Sequence, residues 1–183
     1  MHHLPARLFP LFALLLAACQ QQPAQPAERI ALDQVPEQRE TVLPSPVTTR
    51  ALWTVSDNGR AIHFADPGAA PLVTLDCRMS PGNPPNLAII RHAIGFPGQT
   101  ALFALIGNRK VSRLPADAVL AEGEWRWESV LAAVDPQLDL FIGSGDIRAT
   151  LPGKGAVEIP PSPIPGEFIA WCRAGGLPAT AGR

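Results

Sequence analysis

From residue 47 onward, apolar and polar residues alternate with a period of two, in short runs separated by clusters of Gly, Pro, Asn and Asp. Successive side chains of a strand point to opposite faces, so this alternation predicts half-buried strands, and the regular turn signals predict many short ones. Residues 51–55 and 61–65 flank Ser56-Asp57-Asn58-Gly59-Arg60. Asn and Gly tolerate positive φ there, which predicts a hairpin. Runs at 72–77, 87–92, 100–106 and 110–114 follow, each set off by a Pro/Gly or Gly-Asn turn. In the next run, 124–130, Trp125 and Trp127 fall on one face and Arg126 and Glu128 on the other. Asp135-Pro136 has the form of a helix start, with Asp as cap and Pro at the first helical position, so residues 136–141 are predicted to form a short helical turn. A second hairpin is predicted from 146–151 and 156–159 around Pro152-Gly153-Lys154-Gly155, before a Pro-rich loop leads to a terminal segment, 168–173. The expectation is an all-β fold, an antiparallel β-sandwich of about nine short strands with one short helix.

The chain before this domain follows another pattern. Residues 20–46 are rich in Gln and Pro and poor in aromatics, so they bury too little surface to offset their ordering entropy and read as a tether. Ahead of them, His2, His3 and Arg7 precede an apolar run, 8–16, which small residues close in the manner of a secretory signal. That run is too short to cross a bilayer, which takes about 20 apolar residues in a helix. Leu16-Ala17-Ala18-Cys19 resembles the lipobox of bacterial lipoprotein signal peptides at all four positions. The resemblance implies cleavage between Ala18 and Cys19, a diacylglycerol thioether on Cys19 and a further acyl chain such as palmitate on the new N-terminus, enough chains for stable anchoring. In that family an Asp after the Cys favours retention in the inner membrane. Gln20 here implies the outer membrane, periplasmic face. The expected organisation is 1–18 signal peptide, 19–46 lipidated N-terminus and disordered tether, 47–175 β-sandwich domain and 176–183 flexible tail.

Composition changes this picture little. The formal net charge is −1, and the 15 Lys and Arg residues are scattered without a basic stripe, which argues against nucleic acid as a partner. The cysteines matter more. With Cys19 assigned to lipid, Cys77 and Cys172 form an even pair in an exported domain, and a disulfide is expected. The redox and metal readings of that pair lack a Cys-x-x-Cys motif.

Candidate chemistry is sparse. His63 and His92 are the histidines of the mature chain, and either one with Asp76 offers a base and its orienting acid or part of a metal site. Zinc normally takes four ligands at recognisable spacing, which is missing, so neither a metal nor another cofactor is expected. Ser144 in Gly143-Ser144-Gly145-Asp146 lacks the strand-to-helix elbow of a nucleophilic serine, and no phosphate-binding loop motif occurs. Asp135, Asp139 and Asp146 lack EF-hand spacing and read as a cap, a helix surface and a strand edge. Trp125 and Trp127 are a candidate face for a glycan or hydrophobic ligand, weighed against plain core packing.

Residues 53–174 carry a second likeness. Trp53, Ser56, Gly59 and Phe64, then Leu72-Val73-Thr74-Leu75-Asp76-Cys77 and finally Phe168-Ile169-Ala170-Trp171-Cys172 resemble small uncharacterised lipoproteins of alphaproteobacteria. More distantly, the layout is similar to periplasmic proteins of the invasion-associated locus B type and to VasI/TagO-type accessory proteins of type VI secretion. The resemblance implies a β-sandwich in which a strand ending in Cys is matched by a Cys near the C-terminus. The functional expectation is a membrane-anchored periplasmic lipoprotein acting as a non-enzymatic, envelope-associated binding or assembly module, with an envelope protein or glycan as partner. The alternative is a periplasmic hydrolase using His63 or His92 with an acid.

Overall fold

The computed structural model describes residues 42–177. Ala18, Cys19, the rest of the lipobox and tether up to residue 41, and the tail from 178 lie outside the described residues. Nine strands run in order as β1 (Leu52–Val55), β2 (Ala61–Ala65), β3 (Val73–Arg78), β4 (Asn86–Arg91), β5 (Thr100–Gly107), β6 (Lys110–Ala121), β7 (Glu124–Ala132), β8 (Ile147–Thr150) and β9 (Ala156–Ile159). The hairpin predicted at Asn58-Gly59 forms, with Gly59 at φ 68° and Ser56 N–H donating to the Ala61 carbonyl at 2.9 Å.

All pairings are antiparallel and make one continuous sheet in the order β1-β2-β3-β4-β7-β6-β5-β8-β9. Its two halves are joined at a corner. β6 pairs with β7 only from Asp117 to Ala121, whereas its first half pairs with β5 alone and the second half of β7 pairs with β4 alone. Past that corner the strands part into a five-stranded layer, β1-β2-β3-β4-β7, and a four-stranded layer, β6-β5-β8-β9. Inward residues of both layers, among them Phe64, Leu75 and Ile89 of the first and Phe103, Leu105 and Ala149 of the second, belong to one buried cluster. That is the sandwich-like, all-β core the alternation predicted.

β6 is longer than the expected 110–114 run because Pro115 does not end it. Pro115 stands opposite Leu102 in the half of β6 that has a neighbour on one side only, where a strand tolerates a missing N–H. The terminal segment is part of a helix, α1 (Ile164–Arg173). Pro165 opens it, and Phe168, Ile169 and Cys172 face inward at helical spacing. Between β7 and β8 the 3-10 helix Pro136–Phe141 forms where Asp135-Pro136 predicted it, with the Asp135 carboxylate accepting the Gln137 N–H at 2.8 Å. It packs on β5 and β6, while α1 packs on β4 and on the 3-10 helix. Cys77 and Cys172 are bonded, with Cα atoms 5.8 Å apart and a sequence separation of 95. The bond fastens α1 to β3. On chain-entropy grounds, closing a loop of about 100 residues contributes up to about 4.7 kcal/mol. Among the described residues no helix is long and apolar enough to cross a membrane.

Candidate functional site

The five-stranded layer brings together chemistry that the sequence scatters. His63 of β2 stands opposite Thr74 of β3, and His92 follows the last residue of β4, so three neighbouring strands place both rings around one hydroxyl. His63 Nδ1 and His92 Nε2 each lie 2.9 Å from Thr74 Oγ1. A hydroxyl has one proton to donate, so when both rings are neutral it donates to one and accepts N–H from the other, which couples the two tautomers. Burial, then the charges of Arg126, His63 and Arg91, push the His92 imidazole down to about 4 against the opposing pull of Glu128. The ring is therefore neutral at pH 7.

Beside this relay runs a ladder of charges on the same outward face. Arg78 donates to Asp76 at 3.0 Å and to Glu128 at 2.7 Å, and Arg126 donates to Glu128 at 2.9 Å. Burial raises the Glu128 carboxyl, but the hydrogen bonds and charges of Arg78 and Arg126 outweigh it and hold the group below the usual glutamate range.

Asp76, expected to orient a histidine, sits two residues from Thr74 on the same face but gives its carboxylate to Arg78. Thr74 has the spacing from His92 of a nucleophile from its base, yet it is only 3% exposed. The geometry thus gives the rings a buried hydroxyl in place of an acid and leaves no reachable nucleophile between them. Ser144 lies exposed in a separate hollow with Asn108 and Arg109, which no histidine lines. Asp135 caps the 3-10 helix, Asp139 pairs with Arg173 and Lys110, and Asp146 precedes β8. Among the described residues no group of three or more His, Cys, Asp or Glu side chains is placed to hold a metal ion.

The histidine relay opens on a cleft of about 550 Å³ at the ends of β3, β4 and β7, lined by Pro71, Leu72, His92, Ile94, Trp125 and Arg126 among others. The volume is that of a small-ligand site. The two candidate tryptophans divide here. Trp125 lines the cleft and packs in part against the core. Trp127 is a core residue that shapes the cleft from behind, its indole N–H donating to the Ile94 carbonyl at 3.4 Å. Gly95 makes that approach feasible. A Cβ there would stand 2.9 Å from Ala118 Cβ and 3.2 Å from Trp127 Nε1, so any larger residue would push the Ile94 lip away from Trp127.

Sequence reasoning named His92 and Trp125 but not Leu72, Ile94 or Arg126 as their neighbours. The β4–β7 pairing that joins them spans residues far apart in the chain, and no local pattern reports it. Comparison with protein-family models, with curated proteins and with solved structures finds no match for this chain.

Proposed function

We propose that the chain is a membrane-anchored periplasmic lipoprotein whose β-sandwich domain serves as a non-enzymatic binding or assembly module of the envelope, with the cleft at Trp125 as its binding face. The anchor rests on Leu16-Ala17-Ala18-Cys19. The observation that carries the binding role is the cleft, where a partly buried indole stands beside a neutral imidazole and a guanidinium. Such a wall supplies contact area at low entropic cost together with oriented polar groups, the usual composition of a recognition site.

Two experiments test this reading. Labelled palmitate is expected to enter the native chain and not Cys19→Ala, and equal labelling would remove the anchor. A photo-crosslinking amino acid at Ile94 is expected to yield a discrete adduct in intact cells that is lost on adding Trp125→Ala. Adducts from Ile106, on the opposite layer, with none from Ile94 would move the binding face elsewhere.

A further inference from the structure

The charges around the cleft are unevenly placed. Behind its wall lies Arg91, 4% exposed, which donates to the carbonyls of His92 (2.7 Å), Leu72 (3.2 Å) and Lys154 (3.3 Å) and to no carboxylate among the described residues. Its Nε is buried without a partner. Burial lowers its pKa from the usual arginine value, so a positive charge held by backbone carbonyls rather than by a carboxylate sits behind two residues of the cleft wall.

The groups facing His92 can be named strand by strand. They are Arg91 on β4, His63 on β2 beyond Thr74 of β3, and Arg126 and Glu128 on β7, and their sum favours the neutral ring. Burial of the ring is the largest cause, and the positive charges of Arg126 and Arg91 add to it. Glu124, the single acid among the cleft-lining residues, has no part in that sum. It stands one same-face step from Arg126 along β7, about 7 Å away.

We propose that the cleft binds a free anionic amphiphile, its acid group held between His92 and Arg126 and its apolar body lying along Leu72, Ile94 and Trp125. This rests on the reading of the cleft as the binding face. His92 Nδ1, the ring nitrogen that Thr74 does not engage, and Arg126 Nη1, which Glu128 does not engage, are the donors for the acid. Burial of apolar chain against the wall contributes about 25 cal/mol per Å². An anion so placed offsets the charges of Arg91 and Arg126, favours the protonated imidazole, and so couples binding to uptake of one proton.

The test uses the full chain carrying Cys19→Ala, so that no acyl group competes, titrated with octane-1-sulfonate, octan-1-ol and octyltrimethylammonium and followed by two-dimensional NMR. The sulfonate stays ionised throughout. It is expected to shift the Leu72 and Ile94 amides and the Trp125 indole at concentrations at least about tenfold lower than the alcohol, and to bind at least about threefold tighter at pH 5 than at pH 7. Arg126→Gln is expected to bring the sulfonate and alcohol affinities within about threefold of each other, and His92→Gln to flatten the pH dependence. Equal or tighter binding of the alcohol or the ammonium overturns the anionic assignment and leaves the cleft as a binding face. Silence of the cleft signals with all three probes overturns both. A cleft of this volume holds one short chain, so vesicles of phosphatidylglycerol are expected to leave the signals in place. Shifts with vesicles would overturn assignment to a free acid.

Discussion

The two layers of the sandwich present opposite outer faces. At the centre of the five-stranded layer three side chains that point away from the core are nevertheless buried, Thr74, Ala88 and Ile90, whereas Leu52 and Val130 on the same face stand in solvent. The register explains the cover. Asp76 faces Ala88, while Thr74 faces Ile90, which faces Glu128, so Arg78 in reaching from Asp76 to Glu128 must pass over the apolar positions between them. On the four-stranded layer Leu102, Ile106 and Val111 also point outward and stand in solvent, and Arg148, opposite Ile106, pairs with Glu158 on the far side. Period-two alternation is the same in both layers. What differs is whether a long charged side chain passes over the apolar positions that lie between its partners, as Arg78 does beside the histidine relay.

Truncation of outward isoleucines tests this directly and has the largest expected effect. Ile90 is 2% exposed and Ile106 is 50% exposed. Ile90→Ala is expected to lower unfolding free energy by about 3 kcal/mol, a transfer plus cavity cost, and Ile106→Ala by less than about 1 kcal/mol. Urea titration at constant m-value checks it. Equal losses would mean that the charged cover does not bury Ile90. Next in size is Glu128→Gln. The Glu128 side chain is 9% exposed and accepts from two arginines, so the variant leaves a crowded, under-compensated pair of guanidinium groups. A loss of about 2 kcal/mol in the same assay is expected, as for hydrogen bonds to charged groups. A neutral result would assign the cover to packing alone.

The strands, the Asn58-Gly59 hairpin, the 3-10 helix and the Cys77–Cys172 pair were legible because each is written in local pattern or in parity of cysteines. The terminal helix was missed although Pro165 and the Phe168, Ile169, Cys172 spacing signalled it, since the runs before it were all strands and the segment is short. Pro115 misled in the other direction, because whether a strand has one neighbour or two is not encoded near the proline. At the site, the expected partner of the histidines was on the right strand, β3, but two residues off. Register places Thr74 opposite His63, and Asp76 is drawn to Arg78 instead. Registers across β2, β3, β4 and β7 depend on the whole inner face fitting the core, so they emerge only when the layers pack.

The layers should also part company on acidification. The unfolded imidazole titrates near pH 6.5. His92 in the folded chain does so at about 4, so between these values the unfolded state binds more protons. The contribution is therefore complete above about pH 6.5 and is lost as pH falls toward 4. With solvent screening of the partly buried ring included, about 1 to 2 kcal/mol of stability is expected to disappear across that window. His92→Gln keeps a hydrogen-bonding partner for Thr74 and should remove the slope, as read from urea midpoints at pH 7, 5.5 and 4.5. An unchanged slope would place the titrating group elsewhere. Glu128 acts later, because its folded pKa lies below the usual range and its contribution fades only beneath the usual glutamate pKa.

The smallest expected effect sharpens the comparison most. Arg148 of β8 and Glu158 of β9 are cross-strand partners joined by an ion pair on the four-stranded layer, chemically the same kind of contact as Arg126 with Glu128. Glu158, however, is 51% exposed and Arg148 58%. In water-like surroundings the attraction between the charges is largely offset by the entropy of holding two long side chains, so such pairs contribute about 0.2 to 1 kcal/mol. Glu158→Gln is expected to change stability by less than about 0.5 kcal/mol, and even that difference should vanish in 1 M NaCl, where the Debye length is about 3 Å. The loss from Glu128→Gln should survive the same salt, because the Glu128 side chain is 9% exposed and hydrogen-bonded to both arginines. If the two substitutions cost the same, or if salt erases both, burial is not what separates the layers and the ladder beneath the cleft is an ordinary surface network. If they differ as stated, the same pair of residue types has been measured in two environments of one fold, and the environment, set by strand register, accounts for the difference.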